Sequence, residues 1–133
     1  MNIVYTAVRS LIAGHAAGGS YAASFAVQSS TKRRDVQKTA QRTLSGLTET
    51  LYTRTDVLWS VQFAPVAGAD LLLMTEFLDS TESGSAFTMT LNGDANPAVT
   101  VKRSDNGYTR QQSIELGSVT TDYFSFQIEV LQS

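Results

Sequence analysis

Cysteine is absent from this chain, and histidine occurs once. The first absence excludes disulfides, thiolate metal sites and cysteine nucleophiles. The second leaves only His15, too little for a histidine-based zinc centre or for a catalytic dyad within one subunit. Long hydrophobic runs are missing as well. None approaches the roughly 20 residues needed to cross a bilayer, so no membrane partner is expected. Arg9 interrupts the early apolar stretch, so a secretory signal is not expected either. No internal repeat, low-complexity tract or domain boundary is visible. The chain of 133 residues therefore reads as one domain, large enough to bury a core. Its 42% hydrophobic and 17% charged residues suit a folded protein rather than a disordered one.

What is present is unevenly charged. The net charge is −2, yet residues 32–42 hold Lys32, Arg33, Arg34, Lys38 and Arg42 against Asp35 alone. Removing that local +4 leaves about −6 on the rest of the chain. A basic segment on an acidic protein suits contact with an acidic partner or with a neighbouring copy of itself, or else forms a solvated loop. No aromatic residues interleave with these cations and the overall balance is acidic, which argues against nucleic-acid binding.

Hydrophobic periodicity predicts a mainly β fold. Val57, Trp59, Val61 and Phe63 share one face at period two, and Phe87, Met89 and Leu91 repeat the pattern. Between them, after Pro65 and Gly68, Asp70 can cap a helix over about residues 70–80, followed by Gly84. Ile3 to Ile12 pairs its apolar residues at helical spacing, although its β-branched content also permits a strand. Tyr21, Ala23, Phe25 and Val27 alternate as a strand. Gln28 to Thr43 is polar and without clear period, a long loop or an arm. Leu47 to Thr55 is threonine-rich and extended, Asn92 to Pro97 is a turn cluster, and Ala98 to Lys102 with Tyr108 to Leu116 suggests a hairpin around Asp105-Asn106-Gly107. Phe124, Phe126, Ile128 and Val130 alternate in the last strand. Six or seven strands and one helix give a β-sandwich or split β-barrel hub with one packed helix. Within it, residues 1–43 form a strand pair plus a basic loop or arm, and 44–133 the β-rich core.

Groups able to do chemistry are scarce. Glu76, Asp79 and Glu82 sit at i, i+3 and i+6 and read as an exposed acidic face rather than a catalytic or metal site. Asn92-Gly93-Asp94-Ala95-Asn96 lacks the ligand pattern of a calcium loop. Gly14-His15-Ala16-Ala17-Gly18-Gly19 lacks the Gly-Lys-Ser/Thr ending of a phosphate loop and reads as a connector, with His15 exposed on it. Trp59, in register with core residues, is a core side chain rather than a sugar platform. Tyr52, Tyr108 and Tyr123 are the candidates for aromatic contact at an interface. No catalytic residue, cofactor or metal ligand can be named, and no enzyme is expected.

A resemblance rests on the order of these segments. The basic stretch is followed by Leu44-Ser45-Gly46-Leu47-Thr48-Glu49-Thr50-Leu51-Tyr52-Thr53-Arg54 and by the Trp59 strand. A helix ending in Glu76-Phe77-Leu78-Asp79-Ser80 comes next, then Gly84 and the Phe87 strand. Over roughly residues 32–131 this order resembles tail-tip proteins of long, flexible-tailed bacteriophages, in particular the distal tail protein and the lambda-type minor tail protein M. The resemblance implies a ring of copies, most often a hexamer, between the tail tube protein and the baseplate hub proteins, with DNA only as passing cargo. It implies a place in the virion after assembly in the host bacterial cytoplasm. The sequence lacks the second large domain that some distal tail proteins carry for sugar binding, so the resemblance does not by itself imply a direct receptor-binding role. Under this resemblance Lys32, Arg33, Arg34, Lys38 and Arg42 are the residues for contact with a neighbour or another ring. Two alternatives stand beside it: another tail ring, such as a tube or tail-completion protein, and a β-sandwich carbohydrate-binding module.

Overall fold

The computed structural model describes residues 1–8, 11–44, 46–91, 98–105, 107–118 and 120–132. The chain is mainly β with one helix. Its strands are β1 (Asn2–Thr6), β2 (Ser20–Ser24), β3 (Val27–Arg42), β4 (Thr48–Phe63), β5 (Phe87–Thr90), β6 (Val99–Arg103), β7 (Gln111–Ile114), β8 (Tyr123–Ser125) and β9 (Gln127–Gln132), and α1 spans Ala69–Thr81. Seven strands form one antiparallel sheet in the order β2-β1-β5-β6-β9-β4-β3. β7 and β8 form a second, two-stranded sheet, joined to the body by a bridge between Val66 and Phe124.

Alternation explains the core. Ile3 and Tyr5 of β1, Trp59, Val61 and Phe63 of β4, Phe87 and Met89 of β5, and Ile128 and Val130 of β9 all point to one face and are buried. α1 covers that face as it carries the chain from β4 back to β5, burying Leu71, Met74, Phe77, Leu78 and Thr81. Phe77 meets the edges of Tyr5 and Phe87 at ring-centroid distances of 5.5 and 5.0 Å. Such edge-to-face pairs add about 0.5–1.5 kcal/mol each beyond their buried area.

The first segment, which its sequence leaves open between helix and strand, is a strand, because Ile3 and Tyr5 face inward at period two while Val4 stays 45% exposed. Several other sequence expectations need correction. The helix is longer than 70–80 by one residue at each end, and its N-cap is Gly68 at φ 61°, with no side-chain cap. Asp70 instead lies in the first turn, where its charge favours the helix dipole. β6 and β7 do not pair: β6 lies between β5 and β9, and β7 pairs with β8. The last alternating run is split at Phe126 between the two sheets, so the described residues hold nine strands rather than six or seven. The turn cluster Asn92 to Pro97, Asn106 and the signal-interrupting Arg9 lie outside the described residues.

Candidate functional site: a basic hairpin arm

The polar stretch from Gln28 to Thr43 is neither a loop nor without period. It is strand β3, paired along its length with β4. β9 accompanies β4 only from Leu58 to Gln62, so Thr48–Val57 and its β3 partners extend past the body as a two-stranded arm. At roughly 3.3 Å per residue the overhang is about 33 Å long. Val36, Leu51, Tyr52, Leu44 and Leu47 on this arm are 48%, 68%, 68%, 110% and 69% exposed.

Pairing sorts the charges by parity. The register shift after Gln37 places the extra residue in β4, at Thr53, so β3 alternates without interruption from Ser29 to Arg42. Lys32, Arg34, Lys38 and Arg42 therefore share one face, the face that continues the buried side of the sheet. Lys32 opposes Trp59, and its Nζ lies 4.9 Å from the centre of that ring. Their other β4 partners are Val57, Tyr52 and Thr48, so these two strands put no carboxylate on this face. The opposite face carries Arg33, Asp35, Arg54, Asp56 and Glu49, a net −1, and both of its cations are paired there. Arg33 Nε lies 3.2 Å from Asp35 Oδ1, and Arg54 Nε lies 3.3 Å from Asp56 Oδ2. Of the five sequence-predicted residues, the fold thus brings four together and turns Arg33 away. Their even numbers carried the signal, once the segment is read as a strand.

Two polar clusters in the body hold loops in place. Glu76 is completely buried, which corrects its reading as part of an exposed acidic face. The Tyr5 hydroxyl donates to its Oε1 at 2.8 Å, the Leu11 N–H donates to its Oε2 at 3.1 Å, and His15 Nδ1 lies 2.7 Å from Oε1. Burial pushes the Glu76 carboxyl up, but the bonds from His15, Tyr5 and Leu11 outweigh it and hold the group below its ordinary value. Burial, reinforced by the bond to Glu76, pushes the Tyr5 hydroxyl up. His15 is not an exposed connector residue: it also stacks on Tyr21 at 3.7 Å. This carboxylate ties Leu11 and His15, between β1 and β2, to α1, a task for which helical spacing alone gave no hint.

The second cluster centres on Arg103, whose side chain is fully enclosed. Its guanidinium donates to Asp105 Oδ1, to the Leu78 carbonyl near the end of α1 and to the Gly107 carbonyl, at 2.7–3.0 Å. α1 has no basic residue in its last turn, so β6 supplies the cation that its C-terminal carbonyls favour. The Tyr108 hydroxyl donates to Asp79 at 2.8 Å, and burial with that bond pushes it up to about 12. Beside it a surface notch of about 460 Å³ is lined by Ser60, Asp105, Tyr108, Gln127 and Glu129 among others. Its carboxylates already accept internal bonds: Asp105 from Arg103 and the Glu129 N–H, Glu129 from Ser104. The three tyrosines considered for aromatic contact are dispersed, with Tyr52 on the arm, Tyr123 on the small sheet and Tyr108 half-buried. Trp59 is buried, as its register indicated.

No protein-family model and no curated protein matches the chain.

Proposed function

We propose that this protein is a non-enzymatic, ring-forming component of a bacteriophage tail tip, of the distal tail protein type. In this reading copies of the chain, most often in a hexamer, join the tail tube to the baseplate hub and leave a central path for DNA. The protein would act in the virion after assembly in the bacterial cytoplasm. Beyond the segment order described above, one observation carries the reading. A protruding arm bears Arg34, Lys38 and Arg42 on a face without carboxylates, with Lys32 at its root, beside exposed leucine and tyrosine side chains that its own chain leaves uncovered. Such a surface gains by meeting an acidic, partly apolar neighbour, and the body it leaves behind is acidic. Another ring of the same machine, such as a tube or tail-completion protein, would use the arm in the same way.

Native mass and negative-stain imaging of the purified protein test the proposal. A closed ring near six subunits with a central hole is expected. Replacing Arg33 and Arg34 together by Glu should block its assembly and leave thermal unfolding of the monomer nearly unchanged. Arg34→Glu alone should impair assembly more than Arg33→Glu alone, because Arg33 already faces Asp35. A protein that stays monomeric at every concentration, alone and with the tail tube protein, would overturn the reading. So would a double variant that assembles normally.

A further inference from the structure

The β7–β8 sheet is the surface best matched to the arm's outer end. β7 is exposed along its whole length. Ile114 pairs with Tyr123, opposite in parity to Phe124, which packs toward the core. Ile114, Leu116 and Tyr123 are 50%, 64% and 39% exposed, and two carboxylates adjoin them in the chain: exposed Glu115, and Asp122, which accepts from the Leu116 and Ser118 N–H groups. The arm's end offers the complement: Leu44, Leu47 and Tyr52 for the apolar side chains, Lys38 and Arg42 for the carboxylates. A second exposed apolar site, Val4 on β1, is flanked by Ala22 and Thr88 in its pairs and by no acid in either neighbouring strand. It fits the apolar tip but not the cations.

We infer that the arm of one copy docks on the β7–β8 sheet of a second copy, apolar tip over Ile114, Leu116 and Tyr123, with Arg42 toward Glu115. This rests on the ring reading and names the surface the arm meets. The contact is heterologous: arm and target are different surfaces, so each copy receives one neighbour and reaches another, as closure into a ring demands. Anchoring by a few exposed leucines and an aromatic, with charged pairs around them, is the usual division of labour at such contacts.

The absence of native cysteine makes the test direct, since any disulfide reports engineered positions only. Copies carrying Leu44→Cys are mixed with copies carrying Ile114→Cys or, as the comparison, Val4→Cys, and oxidised mildly. Native mass is recorded on the same samples. The inference expects a covalent heterodimer with Ile114→Cys well above that with Val4→Cys and above the Leu44→Cys homodimer. As a second readout, Arg42→Glu and Glu115→Arg should each weaken association about tenfold, and combining both in one chain should restore most of the loss. If rings form but Leu44→Cys couples equally well to Val4→Cys, or to neither, the docking surface is wrong while the ring reading stands. If no association occurs by native mass, both fail together.

Discussion

Replacing Glu76 should unfold this protein more readily than replacing any exposed carboxylate. The group is fully buried and receives hydrogen bonds from Tyr5 and Leu11 as well as its contact with His15. Glu76→Ala leaves the hydroxyl of Tyr5, a residue 1% exposed, without its acceptor and empties the space between α1 and the Leu11 and His15 groups that face it. An orphaned buried donor costs about 1–3 kcal/mol, and the cavity left by the removed side chain adds to that cost. A loss of about 3–5 kcal/mol is therefore expected, a large share of the roughly 5–15 kcal/mol that holds a domain folded. Glu76→Gln keeps the shape and one acceptor oxygen, and should lose about 1–2 kcal/mol at neutral pH. The pH dependence has a defined sign. Because the folded-state carboxyl titrates below its ordinary value, its contribution is fully present above the ordinary carboxylate range. That contribution is lost as pH falls through the lowered folded value. The gap between wild type and Glu76→Gln should thus shrink in acid. Urea unfolding followed by emission of Trp59, the sole tryptophan, measures both quantities at concentrations below those that support association. A Glu76→Ala loss under about 1 kcal/mol, or a Glu76→Gln gap that stays constant down to about pH 3, would refute the reasoning.

Two further outcomes test the remaining internal contacts. Arg103→Met should destabilise by about 3–5 kcal/mol, since it leaves Asp105 with the Glu129 N–H as its remaining donor and the Leu78 and Gly107 carbonyls without the guanidinium. Rescue of thermal stability by Arg103→Lys should be poor, because one ammonium cannot reproduce the forked set of bonds. At Gly19 an added Cβ would lie 2.5 Å from the Tyr21 hydroxyl. Gly19→Ala should therefore displace Tyr21 from His15 and from the Ala16 N–H it accepts, visible as chemical-shift changes at His15 with the sheet otherwise intact.

The body was legible in the sequence wherever one face of a strand is buried. Trp59, Val61 and Phe63, Phe87 and Met89, and Ile128 and Val130 announced their strands by alternation, and α1 differed from its expected span by one residue at each end. β3 stayed hidden because its distal half buries neither face, so hydrophobic alternation had nothing to register. Its only period is in charge, where Asp35 and Arg33 on one parity balance each other and the even-numbered cations do not. Glu76 was misread for the complementary reason. Helical spacing placed it near Asp79 and Glu82, while its donors come from Tyr5, Leu11 and His15, more than sixty positions away in the chain. The pairing of β6 with β9 rather than β7 likewise depends on long-range packing that a local turn signal does not report.

The outer position of β3 has a practical side. As the last strand of its sheet it presents 16 residues of backbone edge, the sort of template that invites indiscriminate strand addition and fibrous aggregates. Lys32, Arg34, Lys38 and Arg42 stand along that edge as gatekeepers. Two such edges brought together would crowd cation against cation, so copies can accumulate to high concentration without gluing to one another there. The guard is electrostatic, and its reach shrinks to about 3 Å in molar salt. Concentrated stocks should accordingly stay clear in dilute buffer and turn turbid as salt is raised.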